Sequence, residues 1–187
     1  MTNFDQASPS EILYENRSIF LLGEIDAACE FHAVQLLLAL DALGKDPITL
    51  YIDSPGGVVS AGLAIYDTIQ LVGAPVYTVC IGCAASMAAL LLACGEPGHR
   101  VATENSSIMI HQGRSSVGGK LSDMQITLEY FGRTQDNLNR LLARHTGRPK
   151  DEIAELVKWD RWMTPSEAIE FGLIDEIVLP KKASLAE

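Results

Sequence analysis

Residues 76–94 read VYTVCIGCAASMAALLLAC, and the organisation of the whole chain follows from how that stretch divides. Val76 to Ile81 is β-branched and aromatic, Gly82 interrupts it, and Ala84 to Ala93 is a run of small residues and leucine of helical type. The stretch therefore predicts a buried strand, a turn at Gly82 and a buried helix. No charge occurs from Ala74 to Gly95, a length that could cross a bilayer. The strand-like first part and the lack of a flanking basic cluster argue against a single membrane-spanning helix.

Working outward, apolar runs of strand length alternate with stretches of helical period, without a repeat or a biased tract. Strands are expected at Ser18–Leu22, Ile48–Asp53, Val76–Ile81, Arg100–Thr103, Ser107–His111 and Ile174–Leu179, and helices near Cys29–Leu43, Val58–Val72 and Ser86–Cys94. Strand-helix-strand units in that order make an α/β fold with a mostly parallel, helix-covered sheet. Near the end, Thr164-Pro165-Ser166-Glu167 is a capping box with proline in the first turn, and Gly172 closes that helix. Leu121 to His145 differs. Its apolar residues Leu121, Met124, Leu128, Phe131, Leu138 and Leu141 recur at near-helical spacing, and a helix of that length would span about 37 Å. Part of it must project beyond a domain this small, which implies a partner subunit.

The chain has 187 residues and a mass of 20.2 kDa, enough for one compact domain. With 48% hydrophobic residues it can bury a core, so disorder is excluded. A net charge of −10 repels phosphate backbones and anionic lipid, so neither nucleic acid nor a membrane is an expected partner. Four cysteines, Cys29, Cys80, Cys83 and Cys94, lie in apolar surroundings, and the polar first sixteen residues do not resemble a secretory signal; a cytoplasmic location is expected. Cys80 and Cys83 have metal-ligand spacing but no second ligand pair, and they read as packing residues.

Three places carry candidate chemistry. Asp53-Ser54-Pro55-Gly56-Gly57 follows a β-rich run, and its paired glycines permit a sharp turn that presents N–H groups; a plain turn would need the same glycines. Ser86 stands where strand gives way to helix between the small residues Ala84, Ala85 and Ala88, as a nucleophile elbow requires, although a helix N-cap serine accounts for it too. Of the four histidines, His32, His99 and His145 have structural readings, the last as an imidazolium suited to a helix C-terminus. His111 ends an apolar strand, where open α/β sheets place their sites, and is the best general base. Asp160, Asp175, Asp123 and Asp53 are candidates for the carboxylate that would orient it. Asp160 lies in an apolar Trp159/Trp162 neighbourhood, with an Asp160–Arg161 surface pair as its alternative reading.

From about Arg17 to Ile177 these residues resemble the proteolytic-subunit family of the Clp proteases, of the ClpP/crotonase-like fold. Ser54-Pro-Gly-Gly57, Ser60-Ala-Gly62, Ile65-Tyr-Asp-Thr68, Ala84-Ala-Ser-Met87, Met109-Ile-His-Gln112, His145-Thr-Gly147, Asp160-Arg161 and Gly172-Leu-Ile-Asp175 stand in the family's order. The resemblance implies a spiral of βαβ units with a projecting handle helix at about 121–145, in a single domain of residues 18–187 after a short N-terminal segment 1–17. It implies a serine endopeptidase with Ser86 as nucleophile, His111 as base, Asp160 as orienting acid, and the N–H groups of Gly57 and Met87 as the oxyanion hole. No cofactor and no metal are implied, ATP being used by an AAA+ unfoldase partner. The implied assembly is two stacked seven-membered rings, homomeric or mixed with a paralogue, enclosing a chamber in which polypeptides are degraded. A poorly active ring partner and a crotonase-like acyl-CoA enzyme are the alternatives.

The chain departs from the family pattern in four places. Cys83 stands where the family usually has Gln, Ala88 where it has Gly, and Gly113-Arg114 where it has Pro-Leu. The Gly-Glu-Arg-bearing axial loop is not recognisable in the first seventeen residues, which read as a truncated form of it.

Overall fold

The computed structural model describes residues 8–179. In chain order the elements are α1 (Pro9–Glu15), β1 (Ser18–Leu22), α2 (Ala27–Leu43), β2 (Ile48–Ser54), α3 (Val59–Leu71), β3 (Val76–Ala85) and α4 (Met87–Ala93), followed by β4 (Arg100–Thr103), β5 (Ser107–Ile110), α5 (Leu121–Thr146), α6 (Lys150–Leu156), β6 (Arg161–Met163), α7 (Pro165–Phe171) and β7 (Glu176–Val178). The α/β expectation holds. Three short elements, α1, α6 and β6, have no counterpart in the sequence-based assignment, because one or two turns of helix and a three-residue strand are too brief to establish a period. The N-terminal segment expected at 1–17 falls outside the described residues up to residue 7; from Ser8 a capping box starts α1, with Ser8 Oγ accepting from Glu11 N–H.

The sheet runs β1-β2-β3-β4-β7, all parallel, and β5 joins the far end of β3 in parallel and β6 in antiparallel fashion. β3 carries this branching because it does not stop at Gly82 as expected. It continues to Ala85, pairing β4 through Thr78–Cys80 and β5 through Cys83–Ala85. Opposite β2 the register jumps from Ile52↔Cys80 to Ser54↔Ala84, so the two strands bulge apart at Asp53. Asp53 fills the break: its Oδ1 accepts the Cys83 N–H at 2.9 Å. A Cβ on Gly82 would lie 2.7 Å from that carboxylate oxygen, so the glycine marks a close approach inside the strand, not its end.

Every residue of α4 is buried, which is why its composition shows no polar face. The uncharged 74–95 stretch is thus a sheet strand followed by a core helix. Among the described residues no helix is long and apolar enough to cross a membrane. The opposite pattern holds in α5, whose 26 residues include no buried one before Leu138. Leu121, Ile126, Leu128 and Tyr130 are all exposed there.

Arg100 holds several of these elements together from a buried position. Its Nη1 donates to the carbonyls of Ala93, His145 and Gly172 at 3.2, 2.9 and 3.0 Å, at the C-terminal ends of α4, α5 and α7. Helix C-termini leave carbonyls without intrahelical donors and carry partial negative charge, so one guanidinium satisfies three such ends. The charge is balanced by Asp175, which accepts from Arg100 Nε at 2.9 Å and Nη2 at 2.5 Å, and from the Arg100 and Gly98 N–H groups. Burial tends to raise the Asp175 carboxyl, but the hydrogen bonds and charge of Arg100 outweigh it and hold the group below the usual carboxylate range.

Arg100→Leu strands a carboxylate and three carbonyls, and a loss of about 3 kcal/mol in urea denaturation is expected. A group with a depressed folded pKa contributes stability above its unfolded pKa and loses it as pH falls through the folded one. Asp175→Asn should therefore flatten the acid side of the stability–pH curve, and an unchanged curve would remove Asp175 from that role.

Candidate active site

β5 is the strand on which the site is assembled. On one side it pairs with the end of β3, Ala85 opposite Met109, and the next N–H, that of Ser86, donates to Met109 O at 2.8 Å. On the other side it pairs with β6, Ile110 opposite Arg161. The next residue of β5 outward is His111, and the residue before β6 is Asp160. Antiparallel register therefore sets them side by side. The Gln112 N–H donates to Val157 O at 2.6 Å and fixes the chain beyond β5 to the end of α6.

The three side chains meet. His111 Nδ1 lies 3.0 Å from Asp160 Oδ1, and His111 Nε2 lies 2.9 Å from Ser86 Oγ. An ionised carboxylate only accepts, so Nδ1 carries the proton and donates to Asp160, which leaves Nε2 to accept from the Ser86 hydroxyl. The carboxyl of Asp160 is held below its ordinary value, first by the hydrogen bond from His111 and then by Arg114. The remaining carboxylates are engaged elsewhere: Asp175 with Arg100, Asp53 with the Cys83 N–H, and Asp123 in the first turn of α5. The Asp160–Arg161 alternative is overturned. Asp160 pairs with Arg114 instead, and the Arg161 guanidinium lies over the Phe171 ring, because strand alternation points adjacent side chains apart.

Ser86 has φ 58° and ψ −122°, a conformation that costs a non-glycine residue about 1–3 kcal/mol. It makes no side-chain capping bond, so the N-cap reading fails: the hydroxyl points to His111, away from the first turn of α4. The glycine turn packs against this elbow. Ser54 Oγ, fully buried, accepts the Gly56 N–H at 3.0 Å. Gly56 has φ +90°, and a Cβ there would lie 2.6 Å from Ala85 O and 2.7 Å from Ser86 Cβ. Gly57 is bracketed by hydrogen bonds from the Ile25 N–H to Gly56 O at 2.9 Å and from the Val58 N–H to Ile25 O at 2.7 Å. Among the described residues, the N–H groups of Gly57 and Met87 have no hydrogen-bond acceptor within the chain.

The other histidines lie away from this cluster. His32 is exposed, and His99 stacks on Tyr77 with ring centroids 3.9 Å apart. His145 is not the imidazolium expected of a helix C-terminus: Nε2 lies 2.8 Å from Tyr66 Oη, and burial, with Arg144 and Arg100 nearby, pushes its pKa down to about 4. Desolvation outweighs the helix dipole there. All four cysteines are free thiols, with burial raising each; the fully buried Cys94 is pushed up to about 12. Among the described residues no group of three or more His, Cys, Asp or Glu side chains could hold a metal ion.

A groove of about 1280 Å³ runs from Gly57 between α3 and α5, with Val58, Leu63, Leu128 and Phe131 among its walls and Arg114 at its rim. Gln135 of α5 ties this wall to the site. Its Oε1 accepts the Gly113 N–H at 2.9 Å, and its Nε2 donates to the buried Asn139 at 2.8 Å. Gln135 and Asn139 had no part in the sequence-based site, where Arg114 stood only as a departure from the family pattern. The only available signal was the i,i+4 spacing of two amides on one long helix.

Strand-turn-helix placement of a serine, a strand-end histidine and a flanking aspartate, distant in sequence and hydrogen-bonded in space, can be set beside known families. The chain matches the family model described as Clp protease over residues 4–181, a span that contains every element above and all three of these residues. The protein belongs to the Clp protease family.

Proposed function

We propose that this chain is a serine endopeptidase, the proteolytic subunit of a Clp-type assembly. The observation that carries this reading is the unbroken hydrogen-bond chain from Ser86 Oγ through the His111 imidazole to Asp160. Ser86 Oγ attacks a peptide carbonyl while its proton passes to His111 Nε2. The carbonyl oxygen becomes an oxyanion that accepts from the N–H groups of Gly57 and Met87. A typical donor of this kind contributes about 100-fold or more to rate. His111 then protonates the leaving amine as the C–N bond breaks, giving an acyl-enzyme. Water attacks the ester with His111 again taking a proton, which returns to Ser86 as the acid product leaves.

The strained Ser86 backbone belongs to the same scheme, since a hydroxyl aimed at an imidazole cannot also cap its helix. The apolar groove beside Gly57 supports an extended polypeptide as substrate. The exposed apolar residues of α5 before Leu138 support ring stacking through that helix, as two seven-membered rings of this chain or of this chain and a paralogue. An AAA+ unfoldase would supply unfolded chain using ATP. One domain over residues 18–187 and a cytoplasmic setting complete the reading, the latter supported by four free thiols.

Ser86→Ala should abolish peptide hydrolysis and labelling by a serine-directed phosphonate while leaving the circular dichroism spectrum unchanged; hydrolysis that survives the substitution would defeat the assignment. Gly56→Ala pushes a methyl group into the Ser86 turn, and a fall of about 100-fold in kcat is expected. Asp160→Asn frees the imidazole to adopt the other tautomer and should lower kcat by roughly 10³–10⁴-fold. Because the Asp160 carboxyl is held low, it stays ionised into mild acid, and activity should fall below that range as Asp160 takes up a proton and releases the imidazole. A rate that is flat from neutral to acid pH, with chemistry limiting, contradicts the role given to His111.

A further inference from the structure

We propose that Arg114 is a positioning residue of this site, a clamp that holds the exposed Asp160 carboxylate in the plane from which it orients His111. The inference rests on the serine-protease reading above. Asp160 is 45% exposed, whereas the imidazole it must orient is 13% exposed, so the outer end of the relay is its loosest part. A carboxylate this open to water, bonded within the relay only to His111, needs a second donor to keep one rotamer. Arg114 supplies one: its Nη2 donates to Oδ2 at 3.0 Å and to Oδ1 at 3.3 Å, straddling the group whose Oδ1 also accepts from His111.

The backbone from which Arg114 extends is itself tied down on two sides. Gly113 donates to Gln135 of α5, which is held by the buried Asn139, and Gln112 donates to Val157 at the end of α6. The clamp therefore spans β5, α5 and the turn that carries Asp160. It belongs to the Gly113-Arg114 pair at which the sequence departs from the family pattern it resembles.

Among the described residues, no side chain other than His111 and Arg114 forms an ion pair with Asp160. On the Asp160 side, Lys158 is drawn to Glu155 at 2.7 Å and Arg161 lies over the Phe171 ring. On α5, Gln135 is neutral, and Arg133 lines the groove without an ion pair to Asp160. Among the described residues, Arg114 is thus the cation that acts on the relay. Its hydrogen bond and charge help to hold the Asp160 carboxyl low, so without it Asp160 takes up its proton, and the site loses function, at higher pH.

The test measures peptide hydrolysis and the second-order rate of phosphonate labelling against pH, for wild type, Arg114→Gln and Arg114→Glu. Arg114 is 76% exposed, so both variants should fold as wild type does, which circular dichroism checks. With an ion pair this open to water, Arg114→Gln should slow kcat and labelling about two- to five-fold and move the acid limb of both profiles up by about half a pH unit. Arg114→Glu should move it further in the same direction. Acid limbs that coincide with that of wild type would overturn the clamp. So would a rise in KM confined to peptides with acidic residues, with labelling untouched, since Arg114 would then be reading substrate. Failure of the wild type itself to label at Ser86 would instead sink the serine-protease reading, and the clamp with it.

Discussion

The register of β5 is the constraint from which the candidate site follows. A four-residue strand lies between the end of β3, which delivers Ser86, and β6, which starts one residue after Asp160. Because each strand pairing fixes both direction and residue-to-residue register, three side chains remote in sequence are brought to one point without any of them having to seek the others. A slip by one residue on either side would turn His111 to the opposite face of the sheet. The short ladder is protected by burial, since Ile108, Met109 and Ile110 are all core residues.

Two local conflicts are tolerated around that register, and both are held by polar groups placed where the ladder is broken. The bulge between β2 and β3 exposes the Cys83 N–H, and Asp53 accepts it. The positive φ of Ser86 is enforced by β5 through the bond to Met109 O and by helix α4, every residue of which is buried. Strain of this kind persists only where surrounding structure over-determines it. Arg100 contributes at longer range, since one charge satisfies the carbonyl ends of α4, α5 and α7 and keeps the helices from drifting relative to the sheet.

Much of this was legible in the sequence, and the parts that were not share a cause. The strands β1, β2 and β4 appear at or within a residue of their expected bounds, alternate residues of each being buried. The start of α7 was readable because its capping box is local chemistry, Thr164 to Glu167. By contrast β6 is three residues long with two of them exposed, so no hydrophobic period announces it. Gly82 misled because a glycine inside a strand and a glycine ending one are identical in sequence; only the Asp53 side chain crossing above it distinguishes them. His145 misled for the related reason that a helix-end position is visible in sequence and burial against Tyr66 is not.

What the sequence determined by itself was the longer elements, the glycine turn and the residue types able to do the chemistry, because periodicity, capping and turn formation act over a few neighbours. What only the tertiary structure decided was which of four carboxylates faces His111, that Ser86 leaves its helix uncapped, and that Arg114 reaches Asp160 while Arg161 does not. Those outcomes depend on contacts between residues up to forty-nine positions apart, from His111 to Asp160, and no local rule carries that information. Strand register and burial supply it, by forcing each polar group to find its partner in the one arrangement that keeps the core closed.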